Sequence, residues 1–256
     1  MKKESIIAII IAALMAFMYI SGLPIALVVH ISFADVDPVC ITLLINIVLA
    51  MFIGIVLTKV FIPEFEIGFR STQLMSGIKK YGISCIIATA IPCVAFCVGL
   101  FPFDYSPTVW KVIIEYIVYY MGVGIIEEFF CRGLLQNALN QMLCRTKHPQ
   151  IAAVTITAII FGLGHVFGMI GMPRLFMVCK VAWAIGLGIY LGAIYSKTGN
   201  LWLVGLFHFT IDLCGLPFCF STQKMYPTIS AIMVLCTFVA FGVYGYVLLK
   251  YPKSKF

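Results

Sequence analysis

Long apolar runs alternate with short breaks that carry polar residues, proline or glycine. The first run covers 5–29, and others lie near 39–61, 82–101, 109–143, 150–171, 175–195, 201–217 and 228–249. A hydrocarbon layer of roughly 30 Å needs about 20 residues of helix, so each run reads as a bilayer span. The pattern predicts an all-α fold, a polytopic membrane bundle of about eight transmembrane helices forming a single integral membrane domain over 1–256. The first run follows Met1, Lys2 and Lys3 as a signal peptide would. It exceeds the usual apolar length and lacks a small-x-small cleavage site, so it is expected to remain as a span. No repeat, low-complexity tract or soluble domain interrupts the series.

Composition agrees: 62% of the 256 residues are hydrophobic and 11% are charged, whereas a soluble domain carries about a quarter charged residues. A water-soluble globule is excluded. The formal charge of +7 raises nucleic acid as a partner, so the placement of the basic residues decides. With the N-terminus inside, twelve of seventeen fall on the cytoplasmic side: Lys2, Lys3, Lys59, Arg70, Lys79, Lys80, Arg145, Lys147, Lys197, Lys250, Lys253 and Lys255. Lys111, Arg174, Lys180 and Lys224 fall outside, and Arg132 belongs to no loop. This bias and an even number of spans predict cytoplasmic termini. Cations dispersed over several loops, with no aromatic platform beside them, argue against nucleic acid. The ten cysteines form no C-x-x-C pair and read as small buried hydrophobes.

Glu127, Glu128, Arg132, His165, His208 and Asp212 lie within the apolar runs. A charge at a span centre costs roughly 2.5–3.5 kcal/mol on insertion scales, so such residues face one another or a wet cavity. Glu128 and Arg132 are spaced i,i+4 with the acid first, the favourable order for an ion pair. Glu127 is turned about 100° away and is left free for chemistry. The plainer alternative is that all three only staple helices together. Phe161 precedes His165 by one helical turn, beside glycines that permit close helix approach. Taken alone, His165 could equally be an interhelical hydrogen-bonding group. His208 and Asp212 are again i,i+4 and can converge on one atom or water, or the carboxylate can fix the imidazole tautomer. Glu127 precedes Arg145 by eighteen residues and His165 follows Lys147 by eighteen, so a hairpin turning near 146 brings the two to one height.

A desolvated carboxylate beside an imidazole can hold and deprotonate water. Donors from the second histidine and its neighbour would stabilise a developing oxyanion, which suits peptide hydrolysis. Cys131 is less attractive as a nucleophile because it has no assigned base. Two histidines and two carboxylates, Glu127, His165, His208 and Asp212, could also hold zinc, but there is no H-E-x-x-H and the spacing is not diagnostic. Direct activation of water without metal is the preferred expectation.

Three ordered motifs resemble those of the CAAX prenyl protease and bacteriocin-processing family, also called CPBP or Abi. They are E-E-x-x-x-R at Glu127, Glu128 and Arg132, F-x-x-x-H at Phe161 and His165, and H-x-x-x-N/D at His208 and Asp212. They mark 109–217 as a catalytic core. The resemblance implies intramembrane proteolysis, with Glu127 and His165 activating water, His208 and Asp212 stabilising the oxyanion, and Glu128, Arg132 and Phe161 in support. Asp212 stands where an amide is often found; ionised, it cannot donate, so it must be protonated, orient His208 or help bind a cation. The expected function is an intramembrane endopeptidase cutting a membrane-associated or small peptide near the cytoplasmic side, in a bacterial plasma membrane. The alternatives are a non-catalytic scaffold or bacteriocin-immunity protein of the same fold, and a proton-coupled transporter. The expected partners are a peptide or protein substrate and the lipid bilayer. No residue selects among prenylated proteins, bacteriocin leaders and signalling peptides, or fixes an oligomeric state.

Overall fold

The computed structural model describes residues 3–21, 31–223, 225 and 227–251. Among them are eight helices long and apolar enough to cross a membrane: α1 (Lys3–Ser21), α2 (Pro38–Phe61), α3 (Leu74–Leu100), α4 (Val109–Met142), α5 (Pro149–Met169), α6 (Arg174–Thr198), α7 (Leu201–Phe220) and α8 (Thr228–Lys250). The first apolar run appears as α1; its remainder from 22 onward lies outside the described residues, as do Lys2, Lys224, Lys253 and Lys255.

Span ends follow local chemistry. Asp37 caps α2 by accepting from the Val39 N–H at 2.9 Å, and Pro38 occupies the first turn, where no intrahelical donor is needed. Asn200 starts α7 by accepting from the Leu203 N–H at 2.9 Å. Its amide also donates to the carbonyls of Arg70 and Thr72 at 2.8 and 2.7 Å, tying the α2–α3 connection to the α6–α7 turn. Gly199 makes that turn with φ of 62°. The apolar run beginning near 82 is only the inner part of α3, which starts at Leu74. Its opening turns carry Lys79 and Lys80, whose long stems allow a charge at a helix end while the ammonium reaches water.

Two spans are not uniform. In α4 an α-helical stretch over Tyr119–Glu128 is flanked by wider π-helical turns at Val112–Val118 and Phe129–Gln136. In α7 the α-helix ends at Asp212 and tightens into a 3₁₀ stretch, Leu213–Phe220.

Lipid tails and apolar side chains are equally oily, so packing and interhelical hydrogen bonds must hold the bundle. α6 and α8 meet through glycine: a Cβ on Gly186 would sit 2.2 Å from the Phe238 carbonyl oxygen. The Ser230 hydroxyl donates to the Ala95 carbonyl at 2.6 Å, linking α8 to α3, and Ser84 and Tyr190 share a 2.7 Å hydrogen bond between α3 and α6. At one end of the bundle, Asp35 accepts from Thr108 and Tyr105, and Asp104 accepts from Thr222. These bonds clasp three loops and hold both carboxyls below their ordinary range. All ten cysteines are free; five are buried, but Cys144 and Cys236 are exposed, which corrects the view of the set as buried. Gly186→Leu is expected to destabilise the fold by about 1–3 kcal/mol. Thermal unfolding in detergent checks this, and an unchanged melting temperature would contradict a backbone-level contact.

Candidate active site

The site is built on α4, α5 and α7. Gly124, one turn before the paired glutamates, lets α4 press on α7: a Cβ there would lie 2.8 Å from the Phe209 backbone nitrogen. This approach sets Glu127 and Glu128 against His208. Both glutamates are in the last turn of the regular stretch of α4, and Arg132 falls in the π-helical turns that follow. Extra backbone width at this point alters the side-chain directions that a uniform helical wheel assigns.

Glu128 and Arg132 are both fully buried and form the expected ion pair, at 2.9 Å. Arg132 also donates to the Gly188 carbonyl at 3.2 Å, and its guanidinium lies 4.9 Å from the Phe161 ring centroid. The same Glu128 oxygen accepts from His208 Nδ1 at 2.8 Å, so the carboxylate is shared between a cation and an imidazole. Of the alternatives left open for Asp212, orienting His208 falls to Glu128 on α4. Asp212 instead stands at the other ring nitrogen, with its carboxylate 3.7 Å from Nε2. Glu127 approaches that nitrogen too, again at 3.7 Å.

His165 caps the α-helical part of α5, and its Nδ1–H donates to the Phe161 carbonyl at 2.9 Å. That bond selects the tautomer whose Nε2 carries the lone pair. Phe161 packs edge-on against both histidines, with ring centroids 4.8 Å from His165 and 5.8 Å from His208. The phenylalanine is therefore a common wall for Arg132, His165 and His208.

Glu127, His165, His208 and Asp212 all line one cavity of about 430 Å³. An adjoining, more apolar cavity of about 640 Å³ shares Glu127 and His165 and runs along Ile9, Ala13 and Ile20 of α1. The structure places the four candidate residues around one chamber, with Glu128 and Arg132 buried behind it and Phe161 in the wall of the adjoining cavity. Sequence spacing missed Tyr19 of α1 and Lys180 of α6, which line both cavities. Lys180 was sorted with the outside basic residues but belongs to no loop. Its position inside an apolar run was the available signal. Among the described residues, no group of three or more His, Cys, Asp or Glu side chains has an arrangement that would hold a metal ion.

A helical membrane bundle enclosing carboxylates and imidazoles over an internal chamber is the class that fold and site define. Residues 108–214 match the family model of type II CAAX prenyl endopeptidase Rce1-like proteins, so this segment is similar to the CAAX protease/CPBP family. No curated protein matches the chain.

Glu128→Ala is expected to cost about 3–5 kcal/mol because it strands the fully buried Arg132 without its carboxylate. A double-mutant cycle with Arg132→Met should return a coupling of about 0.5–3 kcal/mol. Additive effects in thermal unfolding would mean that the pair is not coupled.

Proposed function

We propose that the chain is an intramembrane endopeptidase in which Glu127 and His165 activate water. The family-model match over residues 108–214 supports CAAX-type proteolysis in the membrane. The observation that carries the mechanism is the placement of His208: Nδ1 is fixed by Glu128 at 2.8 Å, and Nε2 faces the chamber that Glu127 and His165 line. Glu127 takes a proton from water as the water oxygen bonds to the peptide carbonyl carbon. The carbonyl π pair moves to oxygen. The imidazolium form of His208, with Nδ1–H committed to Glu128, has Nε2–H left to donate to that oxyanion. As the tetrahedral intermediate collapses, the C–N bond breaks, and Glu127 returns its proton to the leaving nitrogen. His165, with Nδ1–H held by Phe161, offers the Nε2 lone pair to the same water. Asp212 balances His208 from the opposite edge of the ring. No step is routed through a metal.

The apolar cavity beside the chamber suits a membrane-associated substrate, whose greasy portion can remain in the lipid phase while one peptide bond reaches the acids. Glu127→Gln, reconstituted in vesicles, should lower peptide cleavage about 10²–10⁴-fold while the protein stays inserted and abundant. A phenotype that survives this substitution would identify a scaffold. Cleavage should also persist under strong chelation, with no zinc retained in the purified protein; loss that added zinc restores would overturn the metal-free mechanism.

A further inference from the structure

Lys180 sits in the second turn of α6 and lines both the polar chamber and the apolar cavity. It therefore stands at the seam where a substrate would pass from a lipid-like environment to the reacting groups. Its ammonium lies over the Trp183 indole, 5.1 Å from the ring centroid, which favours one location for the charge. Among the described residues, no carboxylate lies within 4.0 Å of its ammonium. Glu128 is already shared by Arg132 and His208, and Glu127 and Asp212 are grouped around His208 Nε2. A partly buried cation without a contact ion pair at the cavity wall discriminates: an anionic ligand completes a pair that a neutral one cannot.

We propose that Lys180 seats a carboxylate of the peptide substrate and thereby sets which peptide bond reaches Glu127 and His165. The assignment rests on the endopeptidase function proposed above. Either a free C-terminus or an acidic side chain beyond the cut bond could supply the carboxylate.

The test uses the full-length protein in vesicles and a short apolar reporter peptide in three forms: C-terminal acid, C-terminal amide, and amide with one internal glutamate. The expected result is that wild type favours the acid over the amide in kcat/KM by about tenfold to a hundredfold. In Lys180→Met that ratio should fall to about one, while Lys180→Arg keeps it above one. Restored preference for the glutamate-bearing amide assigns the seat to a side chain; preference for the acid alone assigns it to the C-terminus. The proposal is overturned if wild type shows no preference, if Lys180→Met keeps the ratio, or if both forms decline together, which would leave Lys180 only balancing Glu127 and Asp212. Should wild type cleave none of the peptides, the endopeptidase function fails by itself. Binding of fluorescent acid and amide forms then decides the seat: a Lys180-dependent preference sustains it, and equal binding removes it.

Discussion

One carboxylate shared by two partners holds this centre together. Glu128 touches Arg132 at 2.9 Å and His208 at 2.8 Å, with all three groups buried between helices distant in sequence. In water such contacts would be weak, because solvent competes for every charge. Inside a bundle in lipid the uncompensated alternative is far worse, so each member is confined to the place where the other two are. The ion pair fixes α4 internally, the imidazole fixes α7 against it, and the guanidinium contact with Phe161 brings in α5. The acids and bases facing the chamber inherit their positions from this assembly behind them.

The backbone serves the same end. Gly124 brings α4 and α7 to backbone contact at the level of the site, and the π-helical turns over Phe129–Gln136 begin immediately after Glu128. Such wide turns disturb the regular ladder and re-aim side chains within one element. Glu127 and Glu128, about 100° apart on the last regular turn, serve opposite sides of a single histidine: Glu128 binds Nδ1, and Glu127 stands 3.7 Å from Nε2.

The spans were legible because lipid imposes length and apolarity on every crossing segment, and charge is rare enough inside them that the exceptions stand out. The Glu128–Arg132 pair was legible as well, being local and spaced by one turn. The Glu128–His208 bond was not: its partners are eighty residues apart, and nothing along the chain favours that contact over the nearer His208–Asp212 spacing. The full extent of α3 was hidden because Lys79 and Lys80 look like loop residues until their stems are allowed to reach along a helix end. Lys180 was hidden for the converse reason, since counting charges by side of the membrane treats every lysine as a topological marker. A lysine one turn inside a span can be either a snorkelling end or a wall of the site, and only tertiary packing separates the two.

Hydrolysis within a bilayer requires two solvents at one place, since the nucleophile is water and the substrate arrives from lipid. The adjoining cavities suit this requirement under the proposed function: one reaches His208 and Asp212, the other runs along the apolar face of α1, and Glu127 and His165 line both. A single large aqueous cavity would hydrate the carboxylates and weaken every interaction that orders them. A single apolar cavity would exclude the nucleophile. Under the proposed function, Glu127 and His165 at the shared wall would meet water on the cavity face while the Glu128–Arg132–His208 assembly behind them stays buried.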